Sequence, residues 1–196
     1  KPKDLIGIPW LLAFALRSDG WYLRQDIIWH KPGPMPESVK DRFTKSHEYI
    51  FLFSKMPKYY FDHEAVQEDA TYKHDKRVSE GRIEDNGKRA ATDDVNVQNL
   101  TCMTEKRNKR DVWTVQPAAY KGAHFATFPP KLIEPCILAG SKPGGIVLDP
   151  FFGSGTTGVV ANKFNRSFIG IELNKEYIEL AKKRTANKQI TLEGVI

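Results

Sequence analysis

Apolar residues fall in short blocks punctuated by glycine, proline and charge. Gly7 to Leu16 is almost wholly apolar, carries Pro9 near its start and is followed by Asp19-Gly20, which predicts a short buried helix. Trp21 to Trp29, with Tyr22, Ile27 and Ile28, predicts a strand. Lys31-Pro32-Gly33-Pro34-Met35-Pro36 has to be a loop, because three prolines at alternating positions are incompatible with a regular helix and with a central strand. Glu48 to Ser54 reads as a second strand, Lys55-Met56-Pro57 as a turn and Lys58 to Phe61 as a return strand, so an antiparallel hairpin is expected there.

Residues 62–111 lose this periodicity, as functional inserts and linkers do. Order resumes at Asp111-Val112-Trp113-Thr114-Val115, followed by an apolar helix running to Ala139, kinked at Pro135 and closed by Gly140. Gly145 to Asp149 is a fully buried type of strand, Gly153 to Gly158 a glycine turn, Thr156 to Phe164 a helix and Ser167 to Glu172 a further strand. Asn174 caps a last helix through Arg184, with Lys182, Lys183 and Arg184 at its negative end. Strand, glycine turn, helix, strand and helix make half of a doubly wound, mostly parallel α/β sheet, to which the hairpin and the irregular insert are added. The expected division is residues 1–61 as the second half of the sheet, 62–111 as an insert and 112–196 as the glycine-turn half of the same domain.

Charge sharpens that division. The net +6 splits into +4 over residues 1–61, −2 over 62–111 and +4 over 112–196. A mild basic excess allows a nucleic-acid partner without demonstrating one. No run of about 20 apolar residues spans a bilayer, and Lys1-Pro2-Lys3-Asp4 does not open a signal peptide. Cys102 and Cys136 form no disulfide framework and no zinc spacing, so a cytoplasmic protein with reduced thiols, no resident metal and no membrane partner is expected.

The chemistry lies in Gly153-Ser154-Gly155-Thr156-Thr157-Gly158, preceded by a strand and followed by a helix, with Glu172 at the end of the next strand, 19 residues after Gly153. Absence of Cβ atoms lets a ligand approach the backbone, the helix start offers free N–H groups to an anionic group, and Glu172 can accept from both ribose hydroxyls. A tight turn needing glycine would explain the glycines but not the acid. A nucleoside-containing cofactor is therefore favoured. A dinucleotide needs two mononucleotide halves, and only residues 159–196 follow the motif, which argues against NAD. S-adenosylmethionine needs one nucleoside site plus a place for its methionine end, and Asp149 puts a carboxylate where it can meet an ammonium.

Asp149-Pro150-Phe151-Phe152-Gly153-Ser154-Gly155-Thr156-Thr157 and Phe168-Ile169-Gly170-Ile171-Glu172 resemble the cofactor motifs of DNA amino-methyltransferases, which methylate cytosine N4 or adenine N6. The remainder resembles the subgroup with permuted motif order. Ile27-Ile28-Trp29-His30-Lys31-Pro32 and Met35-Pro36-Glu37-Ser38 resemble its middle motifs, and His47 to Phe53 the strand before target recognition. His124-Phe125-Ala126-Thr127-Phe128-Pro129 resembles the segment covering the cofactor's methionine end.

The resemblance implies that S-adenosylmethionine is held by Asp149, Phe151, Gly153, Gly155, Thr156, Thr157 and Glu172, with Phe125 and Thr127 at the methionine end. It implies double-stranded DNA as partner and residues 62–111 as the target-recognition insert, with Lys106, Arg107, Lys109 and Arg110 as the cluster expected to touch DNA. Arg77, Arg82 and Arg89 could each pair with guanine, and nothing selects among them. Lys31 and Lys40 could meet phosphate or simply be solvated. Trp29 and Tyr49 could line the base pocket but are read as core, and His30, His47 and His124 as structural or surface.

The family's catalytic loop, a Ser, Asp or Asn followed by Pro-Pro and an aromatic residue, is not found. The sole Pro-Pro, Pro129-Pro130, is flanked by Phe128 and Lys131. The chain is therefore expected to be the C-terminal part of such an enzyme, or a reading frame truncated at its start, whose missing N-terminal portion carries catalysis. Alone it is expected to bind cofactor weakly, leave two apolar strand edges bare and transfer no methyl group. A catalytically dead cofactor- or DNA-binding module is the alternative; a nucleotide-dependent oxidoreductase is disfavoured by chain order. Cytosine against adenine, the recognition sequence, the oligomer and an associated nuclease stay open.

Overall fold

The computed structural model describes residues 1–70, 106–117 and 128–186. Helix α1, Ile8–Ser18, starts at Gly7 and ends at Asp19, just before Gly20, whose φ of 95° reverses the chain. Strand β1, Tyr22–His30, lies antiparallel to β2, Ser54 opposite Tyr22 and His47 opposite His30. A short strand, Val112–Thr114, joins the other side of β1 in parallel, only at Ile28, Trp29 and His30. Before it come two-residue strands Glu68–Asp69 and Lys106–Arg107, which pair antiparallel and follow a 3-10 turn at Glu64–Val66. In chain order these are β3 (Glu68–Asp69), β4 (Lys106–Arg107) and β5 (Val112–Thr114).

The expected hairpin is not formed. Residues 58–61 make no strand, and β2 takes β1 as its partner. The nine-residue β1 offers a full ladder, whereas Lys58 to Phe61 offers four residues directly behind Pro57. There the aromatic rings meet cations instead: Arg24 donates to the Tyr59 hydroxyl at 3.2 Å and also lies over its ring, and Lys142 lies over Tyr60.

The second region is helical on one side. Helix α2, Pro130–Gly140, runs through Pro135; β6, Ile146–Asp149, and β7, Ser167–Gly170, pair in parallel; α3, Thr156–Lys163, connects them; and α4, Lys175–Ala186, begins after Asn174, whose side chain accepts from Glu176 N at 2.9 Å. Ile137, Val160 and Ala161 form the core here, with Ile133, Val147, Phe164 and Phe168 packed around them. The opposite face of the ladder is bare: Ile146 is 67% exposed and Leu148 61%, and Ile169 is exposed beside them. Parallel strands are ordinarily covered on both faces. Among the described residues, then, the expected doubly wound sheet is present as two separate ladders, β2-β1-β5 and β6-β7, with helices on one face of the latter.

Arg166 joins the ends of two helices. Buried and, among the described residues, without a carboxylate partner, it donates from Nη2 to Ser141 O at 2.7 Å, from Nη1 to Phe164 O at 2.6 Å and from Nε to Ser141 Oγ at 3.3 Å. Those carbonyls lie just beyond α2 and α3, at the negative ends of their dipoles.

Candidate functional site

The β6–β7 ladder continues past its strands. Ile171 N donates to Asp149 O and Phe152 N to Ile171 O, each at 2.9 Å, which carries the loop after Asp149 alongside Ile171 and Glu172. The two carboxylates thus meet the glycine turn from both sides. Asp149 Oδ2 accepts from Thr157 Oγ1 at 2.6 Å and Oδ1 from Phe151 N at 3.0 Å. Glu172 Oε2 accepts from Gly153 N at 2.7 Å, and Oε1 accepts from Leu173 N and Asn174 N, each at 2.9 Å. The N–H groups of Asn174 and Gly153, with that of Leu173, hold the Glu172 carboxyl below the usual carboxylate range against a smaller opposing effect of burial.

Why the glycines are needed is now specific. Gly155 has φ 82°, and a Cβ there would lie 3.0 Å from that of Ala181 on α4. At Gly158 a Cβ would lie 2.7 Å from the Phe152 ring, and at Gly170 it would clash with that ring at 2.3 Å. Phe152, buried and stacked on Phe168 with centroids 5.2 Å apart, is the plug around which the turn closes. The motif's third glycine therefore serves packing rather than a ligand.

Two residues of this site escaped the sequence reading. Phe152 was seen only as part of the motif string. In the sequence Arg184 is a charge complementing the α4 dipole; in the fold it reaches into the glycine turn, where Nη1 donates to Ser154 O at 2.6 Å and Ser154 Oγ at 2.5 Å. No local signal announces a contact across 30 residues.

Around the turn, Phe151 is 89% exposed and Leu173 96%. Asp149 and Thr157 line a cavity of about 400 Å³ against α2, and Glu172 and Ile171 line one of about 440 Å³ against α4. Two carboxylates with lone pairs to spare, a helix N-terminus without a side-chain cap and an exposed ring suit a ligand bearing hydroxyls, an ammonium and a flat base. Asp149, Phe151, Gly153, Gly155, Thr156, Thr157 and Glu172 are brought together; Phe125 and Thr127 lie outside the described residues.

The basic cluster at 106–110 is knitted into the fold. Lys106 pairs with Asp69 at 2.9 Å, Arg107 and Arg110 both reach Glu68 Oε1, and Lys109 lies over the Trp113 ring. Partial burial, the largest single influence, pushes the Glu68 carboxyl up, but the hydrogen bonds and charges of Arg110 and Arg107 together bring it below the usual range. These cations thus close the base of the insert, whichever other surface they present. Arg77, Arg82, Arg89, Cys102 and His124 lie outside the described residues. Trp29 is buried and donates to Val115 O at 2.8 Å, while Tyr49 is half-buried in a row with Phe51 and Trp10. His30 meets Thr114, and His47 packs edge-on to Tyr49. Among the described residues no His, Cys, Asp and Glu group has metal-holding geometry, and no helix is long and apolar enough to cross a membrane.

Residues 4–183 match a family model described as DNA methylase, that of the N6/N4 methyltransferases. The chain is 53% identical over 184 residues to the Type II methyltransferase M.Cfr9I of Citrobacter freundii, which covers 94% of this chain and 51% of that protein. It is 51% identical over 189 residues to M.SmaI of Serratia marcescens, covering 96% of this chain and 55% of that one. The chain thus spans about half the length of these curated relatives. A crystal structure of an M1.HpyAVI–SAM complex matches with a TM-score of 0.61 at 25% identity, over 93% of this chain and 71% of that one. The cytosine-N4-specific PvuII DNA methyltransferase matches in fold, with a TM-score of 0.66 at 22% identity, over 97% and 61% of the two chains.

Proposed function

Since the chain belongs to the N6/N4 DNA methylase family, we propose that it is the cofactor-binding part of an enzyme that moves the methyl group of S-adenosylmethionine to an exocyclic amino group in double-stranded DNA, cytosine N4 or adenine N6. One observation carries the reading: Asp149 and Glu172, at the ends of neighbouring parallel strands, grip the same glycine turn from opposite sides. That arrangement suits a zwitterionic nucleoside, and the M1.HpyAVI match holds SAM.

Bound there, S-adenosylmethionine would supply an electrophilic sulfonium methyl group. Glu172 would accept from the ribose through its remaining lone pairs, Asp149 would face the ammonium, and Phe151 would cover the ligand. The target base would leave the duplex to reach the methyl carbon. Its amino nitrogen has a lone pair delocalised into the ring, so alignment carries much of the rate. As that nitrogen bonds to the methyl carbon, the carbon–sulfur bond breaks and a proton leaves the nitrogen. Which groups hold the amino nitrogen is a matter for the portion outside this chain: no Pro-Pro-aromatic loop occurs in it.

Three features favour an incomplete unit. The β6–β7 face carrying Ile146, Leu148 and Ile169 is exposed; among the described residues β1 has no partner along Tyr22–Ile27 on its β5 side; and a largely apolar cavity of about 500 Å³ separates Ile27, Ile50 and Leu52 from Ile133 and Cys136 of α2. The test is a thermal melt with S-adenosylhomocysteine, S-adenosylmethionine and NAD, paired with a radiolabelled methyl-transfer assay. Stabilisation by the first two alone, without transfer until an N-terminal portion bearing a Pro-Pro-aromatic loop is added, is expected. Stabilisation by NAD alone would overturn the cofactor assignment, and transfer by the chain alone would overturn its incompleteness.

A further inference from the structure

The loop between β1 and β2 leaves the carboxyl end of a parallel ladder, the side on which open α/β sheets place ligands. Its bend, residues 40–45, is exposed throughout, and Phe43 at its centre is 97% exposed. The bend is braced. Arg42 Nη1 donates to Glu37 Oε2 at 2.5 Å and to Phe43 O at 3.3 Å, and Lys3 pairs with Asp41 at 2.6 Å. Both acids of the loop are thereby neutralised, while Lys40 and Lys45 have no ion-pair partner among the described residues. The result is an exposed aromatic ring on a braced bend, flanked by two cations that no described acid pairs with. Phosphate attracts the cations, and a base offers the ring its one large flat apolar surface.

We propose that this bend contacts DNA, with Phe43 stacking on an unstacked base and Lys40 and Lys45 meeting the flanking phosphates. The inference rests on the methyltransferase reading for its partner. The 196-residue chain is titrated by fluorescence anisotropy into a matched duplex and one with a central mismatch, whose base is easier to unstack. Wild type is expected to prefer the mismatch. Phe43→Ala should weaken mismatch binding by about 5-fold or more, as loss of base–aromatic stacking does, and erase the preference with an unchanged melting temperature; Phe43→Trp should keep both. Lys40→Gln with Lys45→Gln should weaken both duplexes alike and lower the salt slope by about two. Undiminished binding and preference in Phe43→Ala overturn the proposal, as does failure of the wild-type chain to bind either duplex. Stabilisation by S-adenosylhomocysteine, measured alongside, reports separately on the methyltransferase reading.

Discussion

In residues 128–186, polar side chains reach across elements to fixed partners: Asp149 to Thr157, Glu172 to Gly153 and Arg184 to Ser154 brace the glycine turn, and Arg166 to Ser141 ties the ends of α2 and α3. In residues 1–61 the sheet is held by rings. Trp10 of α1 packs edge-on against Tyr49 and Phe51 with centroids 5.3 and 5.0 Å away, while Ile8, Leu11 and Leu12 on the same helix point to solvent. The first pattern fixes atoms to within the tolerance of a hydrogen bond and suits a ligand site. The second buries area without direction and leaves apolar surface over. Positional precision is concentrated where a cofactor would bind, whereas bare apolar surface remains both on α1 and on the open β6–β7 face.

The largest test of that contrast is Gly170→Ala. Its methyl would intrude on the Phe152 ring, at a cost of about 1–3 kcal/mol for overpacking. All four tryptophans, Trp10, Trp21, Trp29 and Trp113, lie outside 128–186. If the regions are separable, far-UV circular dichroism should show the early loss while tryptophan emission lags; coincident shifts would make them one cooperative unit. Next in size is Arg184→Met. Losing a charged hydrogen bond to the turn should weaken S-adenosylhomocysteine by about tenfold in calorimetry, equivalent to about 1.4 kcal/mol, with a smaller shift in the ligand-free melt. An equal loss in both would make Arg184 a general support rather than a positioner of the turn.

A smaller effect concerns acid. Because the folded Glu172 carboxyl is held below its ordinary value, its contribution is complete above the unfolded pKa of about 4.3 and is lost as pH falls through the lower folded value. Thermal melts should therefore show stability declining below about pH 4, with a shallower decline in Glu172→Gln. The smallest effect is expected at Leu12→Lys. Leu12 is 60% exposed, so the isolated chain should change by less than about 0.5 kcal/mol. A loss of 2 kcal/mol or more in that chain, measured by urea unfolding, would mean that α1 is not the unfinished surface described above.

How legible each region was follows the same contrast. The strand, glycine turn, helix and strand from Gly145 to Glu172 could be read from the sequence because their constraints act over a few residues, and the 19-residue step from Gly153 to Glu172 is that between the ends of adjacent strands. The Asn174 cap was equally local. Two nearby apolar blocks suggest a hairpin at 48–61, but the longer β1 competes successfully for β2. Nothing short-range tells Val112–Thr114 to join Ile28–His30, or Lys106, Arg107 and Arg110 to close on Glu68 and Asp69. The same holds for Arg184: charge on a helix end was visible, its target was not. Where information is carried by distant partners, composition and spacing run out.

Arg166 has a consequence for solution conditions. Among the described residues its hydrogen-bond partners are amide oxygens and a hydroxyl, and none of these gains a proton in mild acid or exchanges its charge for that of a dissolved ion. A carboxylate partner would have tied this junction to pH and ionic strength; neutral dipoles do not. The seam between the ends of α2 and α3 should therefore hold together in brine or weak vinegar alike, long after the surface ion pairs of the insert have let go.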